Sequence, residues 1–292
     1  MRVLVTGSTG FVGRALVPDL AAAGHEVHAV SRGDHGDLAD GVDWRPLVAG
    51  MDAVVHLAGQ AHAASELADE HYDRVNHRAT AELAIACRTG GVRTLVFVSS
   101  IRAQTGPVAT SVLDERSPAA PADAYGRSKL AAEAAIRAAG VAHTILRPVL
   151  IYGPELKGNL ATLRRLAARR VPLPFGAFHN RRSLLALSGL CSAIDLALAS
   201  PATQDQTFVV ADRAPIELRE IIAAFRAGAG RRPGLVPVPL AVMRAALRLA
   251  GGREMWERVG GELVVDPAKL IAAGWSPVDD TRAELARLAA RE

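Results

Sequence analysis

Tyr125 and Lys129 stand four residues apart in AYGRSKLAAEAA, and Ser100 closes the apolar run TLVFVSS earlier in the chain. Positions i and i+4 of a helix share a face one turn apart, so the phenol and the ammonium can act on one bound molecule. Composition sharpens the pattern: three tyrosines (Tyr72, Tyr125, Tyr152) and three lysines (Lys129, Lys157, Lys269) occur in a chain with 34 basic residues. Chance supplies such a pair about 0.03 times in a chain so composed. Where arginine fills nearly every other basic position, a lysine points to a need for a compact, rotatable ammonium. A free phenol, with a pKa near ~10, exchanges protons poorly at neutral pH. A neighbouring ammonium favours the phenolate and brings that value down. Tyr125 is then a proton donor or acceptor at a carbonyl or alcohol carbon. Ser100, at the end of its strand, is the group to polarise the oxygen.

The amino terminus supplies the other reactant. Residues 2–6, RVLVT, read as a buried strand, and Gly7, Gly10 and Gly13 follow in TGSTGFVG before the helical pattern RALVPDLAAAG. Glycines are needed there because the turn is tight, a side chain would hold the backbone off a pyrophosphate, and the helix packs close to the sheet. The amides of Thr9, Phe11 and Val12 belong to the same anion-receiving helix start. The loop therefore predicts a dinucleotide. At the tip of the second strand the chain reads Ser31-Arg32-Gly33-Asp34. An acid there would hold the ribose 2′-hydroxyl of NAD(H), whereas an arginine accommodates a 2′-phosphate. Serine followed by Arg32 favours NADP(H), with NAD(H) as the alternative if Asp34 reaches back.

Seven motifs follow one another nearly end to end: TGSTGFVG (6–13), DAVVHLAG (52–59), Asn76 in VNHRATAELAIAC, FVSS (97–100), YGRSK (125–129), ILRPVLIYGP (145–154) and VVDPAKLIAAGWSP (264–277). In this order they resemble the extended short-chain dehydrogenase/reductase family, in its branch of nucleotide-sugar epimerases, dehydratases and ketoreductases. The resemblance implies that Ser100, rather than Ser99, joins Tyr125 and Lys129, because its offset to Tyr125 fits. It implies that Lys129 bonds the nicotinamide ribose and that Asn76 supports the nicotinamide end. Asp43 and Trp44 would flank the adenine, with core packing as the other role for Trp44. Leu57, Ala58 and Gly59 would line the diphosphate, and Pro148 of ILRP would border the cofactor. His56 is expected to be a packed, hydrogen-bonded residue. For the substrate the resemblance implies Asn159 at a helix start, Phe175 against a nucleotide base and Arg181 on a sugar-nucleotide diphosphate, with Arg182 as the fallback. Arg102 would face the sugar or solvent. Ser188 departs from the pattern, since many relatives have Asp there. The implied reaction is NADPH-dependent reduction of a 4-keto sugar, with a nucleotide-sugar 4-epimerase as the alternative. A reductase of a non-nucleotide carbonyl and a non-catalytic cofactor sensor stand further off.

These residues need a scaffold that brings strand ends together. Apolar runs at 2–6, 26–31, 53–58, 94–100, 143–149 and 207–211, with helical patterns between the first five, predict an α/β chain. The expected fold is a doubly wound parallel sheet of Rossmann type with a smaller substrate-binding domain. The expected boundaries are 1–154 for the dinucleotide domain, re-entered at about 183–214, and 155–182 with 215–292 for the substrate domain. At 292 residues and 50% hydrophobic, the chain can bury a large core. A net charge of +4 raises nucleic acid as a partner, but arginines interleave with acids in ELREIIAAFRA and DDTRAELARLAARE, which reads as solvated helix surface. Cys87 and Cys191 lie in apolar patterns and form neither a disulfide framework nor a metal-ligand spacing. No metal is expected. The first strand begins directly after Met1 and no apolar run approaches spanning length, so a cytoplasmic protein without a membrane partner is expected. Apolar residues at helical spacing in 66–89 and 122–139 predict, through the resemblance, a homodimer built on a four-helix interface.

Overall fold

The computed structural model describes residues 1–60, 68–156 and 158–290. Its strands, in chain order, are β1 (Arg2–Thr6), β2 (Glu26–Val30), β3 (Ala53–His56), β4 (Thr94–Val98), β5 (His143–Pro148), β6 (Leu150–Tyr152), β7 (Arg181–Arg182), β8 (Leu184–Ala186), β9 (Gln206–Val210) and β10 (Ile216–Glu217). Six form one sheet in the order β2-β1-β3-β4-β5-β9, with every pairing parallel. Parallel neighbours require crossovers, and the helices Gly13–Ala22, Ala79–Thr89, Ala124–Ala139 and Leu187–Ala199 supply them. Strand order reverses between β1 and β3. Open sheets of this kind bind ligands outside the carboxyl ends of the strands at such a reversal.

Period-two alternation divides the apolar side chains between the two faces. Val3, Val5, Val55 and Val96 meet Leu16, Leu20, Leu190 and Ile194 on one side. Leu4, Val54, Leu95 and Phe97 meet Leu83, Cys87 and Ile136 on the other. Strands covered on both faces are apolar throughout, which is why VLV, AVV and LVF lack alternation in sequence. The edge strand β2 has exposed Glu26, His28 and Ala29 and is the only one of the six that is mostly exposed. Expected strand ends at 31, 58, 100 and 149 fall short by one or two residues in the structure. The Leu57 and Ser99 amides make a last bond to the neighbouring strands, to the Thr6 carbonyl at 3.3 Å and the Leu146 carbonyl at 2.8 Å, and the chain leaves the sheet after them.

A further apolar cluster gathers Leu160, Ile222, Phe225 and Leu285 from the helices Gly158–Ala167, Leu218–Gly228 and Thr281–Ala290 with Tyr152 of β6 and Phe178. Asp212 ties it to the sheet. Its carboxylate accepts from Tyr152 Oη (2.7 Å), Thr281 Oγ1 (2.8 Å) and the Ala186 amide (2.9 Å), and burial raises its pKa. Cys87 and Cys191 are buried, and desolvation pushes both thiols up to about 12. Among the described residues no His, Cys, Asp and Glu cluster suits a metal ion, and no helix is long and apolar enough to cross a membrane. Of the stretch 66–89 expected to form a dimer face, residues 66 and 67 lie outside the described ones. In the rest, Leu83, Ala84, Ala86 and Cys87 are buried against the chain's own sheet and Ile85 is exposed.

Candidate active site

The loop after β1 is shaped by backbone contact. Gly7 has φ +71°, and a Cβ on it would lie 2.7 Å from the Ala58 nitrogen. A Cβ on Gly13 would collide with the Gly7 carbonyl. Gly10 is exposed, and its Cβ would meet only the Gly7 carbonyl at 3.1 Å, so its other side is open to a ligand. The helix Gly13–Ala22 starts at Val12 with no side-chain cap, and first-turn amides without intrahelical partners suit an anion. Thr9 is exposed, whereas Phe11 and Val12 are half-buried against the core. This cradle fits the pyrophosphate of a dinucleotide.

Beneath it lies His56. Thr80 Oγ1 gives its proton to the Asn76 carbonyl (2.7 Å), so it accepts from His56 Nε2–H at 3.1 Å. That leaves Nδ1 to accept from Thr6 Oγ1 at 2.7 Å, while Thr6 Oγ1 accepts from the Ala58 amide. The imidazole is neutral and structural, its pKa lowered to about 3 by burial.

At the tip of β2, Ser31 caps the short helix Arg32–His35. Its amide and hydroxyl both donate to Asp34 Oδ2, at 2.7 and 2.8 Å, and these bonds hold the Asp34 carboxyl below the usual range. The Arg32 side chain is 77% exposed and lies 3.7 Å from Asp37. Both groups considered for cofactor choice thus stand at one tip, the acid turned back onto Ser31 and the arginine outward. Asp43 is exposed and bonded to Arg45 at 2.8 Å. Trp44 occupies the core position, one of the two roles expected of it. It is 2% exposed, packs in the cluster of Val48 and Val54, and meets His56 edge-on. A residue so enclosed serves the core.

Ser100, Tyr125 and Lys129 come together at the end of β4. Gly126 makes this approach feasible, because a Cβ there would run into the Arg102 carbonyl, so the helix Ala124–Ala139 closes directly on the turn Ile101–Ala103. Asp123 caps that helix through the Gly126 amide at 2.7 Å. Tyr125 is half-buried, hydrogen-bonded to Ser100 and edge-on to Tyr72 at 6.1 Å; against the lowering expected from a neighbouring ammonium, desolvation raises its pKa, and only the Ser100 bond and the Arg102 charge oppose that rise. Ser99 is a different case: its hydroxyl donates to Glu133 Oε1 at 2.6 Å, away from the phenol. Lys129 is buried, donates to the Val98 carbonyl at 3.1 Å and lies over the Phe97 ring at 4.7 Å. Desolvation lowers its pKa to about 8, against the pull of the Glu133 carboxylate one turn on.

Asn76 is 1% exposed and sits in a π-helical turn, Asp73–Arg78, a distortion often found at functional sites. Its amide bonds the Gln60 backbone twice, at 2.8 and 3.0 Å, and Ser128 Oγ at 3.1 Å. A Cβ on Gly59 would come 2.7 Å from Asn76 Oδ1 and 3.7 Å from Lys129 Nζ, so this strand tip, Asn76 and Lys129 share one corner. Pro148 is buried at the end of β5.

The substrate-end residues are less convergent. Asn159 is exposed near the start of the helix Gly158–Ala167. Phe175 is 8% exposed and packs 5.4 Å from Phe178, a core position where a base contact was expected. The Arg102 guanidinium pairs with Asp123, and its side chain is 19% exposed. Arg181 is exposed, 3.7 Å from Glu262, while its amide also bonds that carboxylate at 3.0 Å. Arg182 is half-buried near the Pro107 carbonyl, and burial lowers its pKa. Sequence reasoning missed Glu133, though its place four residues after Lys129 was a readable signal. The Gln60 backbone and the Val98 carbonyl left no signal, since any residue supplies them.

The description NAD dependent epimerase/dehydratase family matches residues 3–211, from the first strand past the sixth strand of the main sheet. The chain belongs to that family. It is an NAD(P)-dependent enzyme with the extended short-chain dehydrogenase/reductase fold. Its curated relatives include epimerases and reductases. UDP-glucose 4-epimerase of Vibrio cholerae is 31% identical over 94% of this chain and 90% of its own. The 2'-dehydrokanamycin reductase of Streptomyces kanamyceticus is 33% identical over 82% and 70%. Among solved structures, human epimerase family protein SDR39U1 with NADPH superposes with a TM-score of 0.76 at 26% identity, covering 100% of both chains.

Proposed function

We propose that this family member transfers hydride between NADP(H) and a carbonyl carbon of a nucleotide-activated sugar, most simply as the net reductase of a 4-keto sugar. The observation that carries the reading is the bonded pair Ser100–Tyr125 with the buried Lys129 ammonium one helical turn away. When bound, the dihydronicotinamide supplies the hydride. The protein's own part is the proton. Burial keeps the Tyr125 phenol protonated, so it is loaded as an acid before the substrate oxygen arrives. Ser100 and Tyr125 present two hydroxyls to one oxygen, and the proton leaves Tyr125 Oη as negative charge develops there. The Lys129 ammonium, one helical turn on, adds positive charge on that side of the phenolate, and solvent returns the proton. In the oxidising direction each transfer reverses.

Arg32, outward at the tip of β2, supports NADP(H) as the preferred cofactor, and an SDR39U1 structure with NADPH is consistent with that. Arg181 and Asn159 are the proposed diphosphate contacts. The Vibrio cholerae relative favours a second reading, a nucleotide-sugar 4-epimerase, which oxidises and re-reduces one carbon on a retained cofactor. Incubating the purified protein with NADPH or NADH and a panel of uridine and thymidine diphosphate sugars and 4-keto sugars separates the two. Net consumption of NADPH by a 4-keto sugar is the expected result. Interconversion of two sugars without net consumption would replace the reductase by the epimerase, and turnover of only non-nucleotide carbonyls would overturn both.

A further inference from the structure

Residues 156–194 contain seven basic residues and no acid, and residues 221–253 contain six and no acid, in a chain whose net charge is only +4. The interleaving of arginine with acid expected from the helices at 217–227 and 279–292 therefore fails over these two segments. The fold brings them side by side. Leu173 and Val236 exchange backbone bonds with the opposing strand, at 3.0 Å to the Gly234 carbonyl and 2.8 Å to the Leu173 carbonyl. Between them the Arg226 guanidinium, 5% exposed, donates to the carbonyls of Arg169, Val171, Pro233 and Gly234. Arg231 likewise bonds the Ala168 carbonyl. These two arginines satisfy helix ends. Arg169, Arg170 and Arg232 do not: they are exposed on the rim of the same cleft and form no ion pair among the described residues.

Apolar side chains are exposed along the same two segments. Nine large ones are exposed among the described residues, and five belong to these segments: Val171 (52%), Val236, Leu240, Val242 (57%) and Leu249 (90%). The last three belong to the helix Leu240–Gly260, which buries Met243 and half-buries Leu247. Val242, Ala245, Ala246 and Leu249, at i, i+3, i+4 and i+7, form a second apolar stripe turned away from that seam, and Arg244 and Arg248 flank it. Over residues 240–249 an outward apolar stripe with arginines beside it and no acid has a definite physical match: it inserts at the boundary of headgroups and acyl chains while guanidiniums bind lipid phosphates and carboxylates. Nucleic acid would leave the apolar stripe in water. A second copy of the same face would set arginine against arginine.

We infer that the surface formed by residues 169–171, 231–236 and the outer face of the helical stretch 240–249 docks on an anionic lipid bilayer, lying on the membrane without crossing it. This is independent of the reaction proposed above.

Sedimentation of the full chain with vesicles tests it. Vesicles of phosphatidylcholine with phosphatidylserine should bind the protein, pure phosphatidylcholine should not, and added salt should release it. Arg170→Ala with Arg232→Ala should weaken partition about thirtyfold, and Leu249→Ser about tenfold. All three positions are exposed, so thermal unfolding should be unchanged in both variants. Failure of the parent protein to sediment with anionic vesicles overturns the inference. So does binding that follows charge but ignores Leu249→Ser, which would mark a general polyanion surface, or a dimer in light scattering that Leu249→Ser dissolves.

Discussion

Replacing Glu133 by glutamine removes one negative charge from beneath the active site and little else. The Glu133 side chain is fully buried and accepts from Ser99 Oγ (2.6 Å), Arg147 Nε (2.9 Å) and Arg147 Nη2 (2.6 Å), with Arg137 at 3.3 Å on its outer side. A carboxamide keeps one acceptor oxygen and turns an NH2 toward the guanidinium. One of the two parallel bonds is lost, and Arg147, whose side chain is 7% exposed, becomes a buried cation without a counterion. Breaking a buried pair from one side costs about 3–5 kcal/mol. Urea unfolding of Glu133→Gln should show that loss, and adding Arg147→Met should recover most of it, because the uncompensated charge goes too. Activity carries a second readout. The folded pKa of Lys129, about 8, is held up by Glu133 against desolvation. Without the carboxylate it falls further, so the ammonium is lost as pH rises through a lower value. The alkaline limb of kcat/KM should move to lower pH. A stability loss under about 1 kcal/mol would refute the buried-pair reasoning, and an unmoved limb would separate Lys129 from the proton chemistry.

Tyr125→Phe should lower kcat by about 10² to 10⁴ while cofactor titration stays near the parent value, since only the proton donor is removed; a variant within tenfold of the parent means another group is the acid. Arg32→Ala should weaken NADPH by about 1.5–3 kcal/mol and spare NADH, and equal losses, or a parent that prefers NADH, would overturn the NADP(H) assignment. Light scattering should return a dimer of the 30.6 kDa chain through the helices Ala79–Thr89 and Ala124–Ala139, and a single monomeric species at micromolar concentration would reject that interface.

The parallel sheet was legible because its strands are buried on both faces and read as unbroken apolar runs. The strand ends were read one or two residues too long, since nothing in the run TLVFVSS marks where Ser100 turns to cap Ile101–Ala103. The short strands β6, β7, β8 and β10, two or three residues each, lack the length to show a period, and only tertiary pairing makes them strands. Ser100, Tyr125 and Lys129 were legible because their chemistry needs fixed types at fixed spacing. Phe175, Trp44 and Arg102 each allowed two roles in the sequence, for one shared reason. A large aromatic or a guanidinium suits a ligand and a core equally well, and the choice rests on how the fold packs each one, Phe175 against Phe178, Trp44 against His56 and Arg102 against Asp123. Charge segregation escaped notice for the same cause, because residues 169–171 and 231–236 become one surface only on folding.

Arg181 is where the remaining distinction between a sugar-nucleotide enzyme and a general carbonyl reductase can be tested. Adjacent strand residues point to opposite faces, so Arg181 and Arg182 cannot serve the same oxygen. Arg181 is the exposed one, and Glu262 at 3.7 Å already holds it. A diphosphate arriving there competes with a surface carboxylate, a partner worth about 0–1 kcal/mol, whereas a bond to a charged phosphate is worth about 1.5–3 kcal/mol. The exchange is favourable, and it predicts opposite effects from the two partners. Arg181→Ala should reduce kcat/KM toward a sugar diphosphonucleotide by about 2–3 kcal/mol and leave a small uncharged ketone unaffected, because remote binding energy positions the reacting carbon only when the remote group is present. Glu262→Gln should raise affinity for the diphosphonucleotide by freeing the guanidinium. Equal kinetics on both substrates in Arg181→Ala, together with no gain in Glu262→Gln, would return Arg181 to the solvated surface. The main reason for choosing a nucleotide sugar would go with it, leaving an NAD(P)-dependent enzyme whose substrate is selected elsewhere.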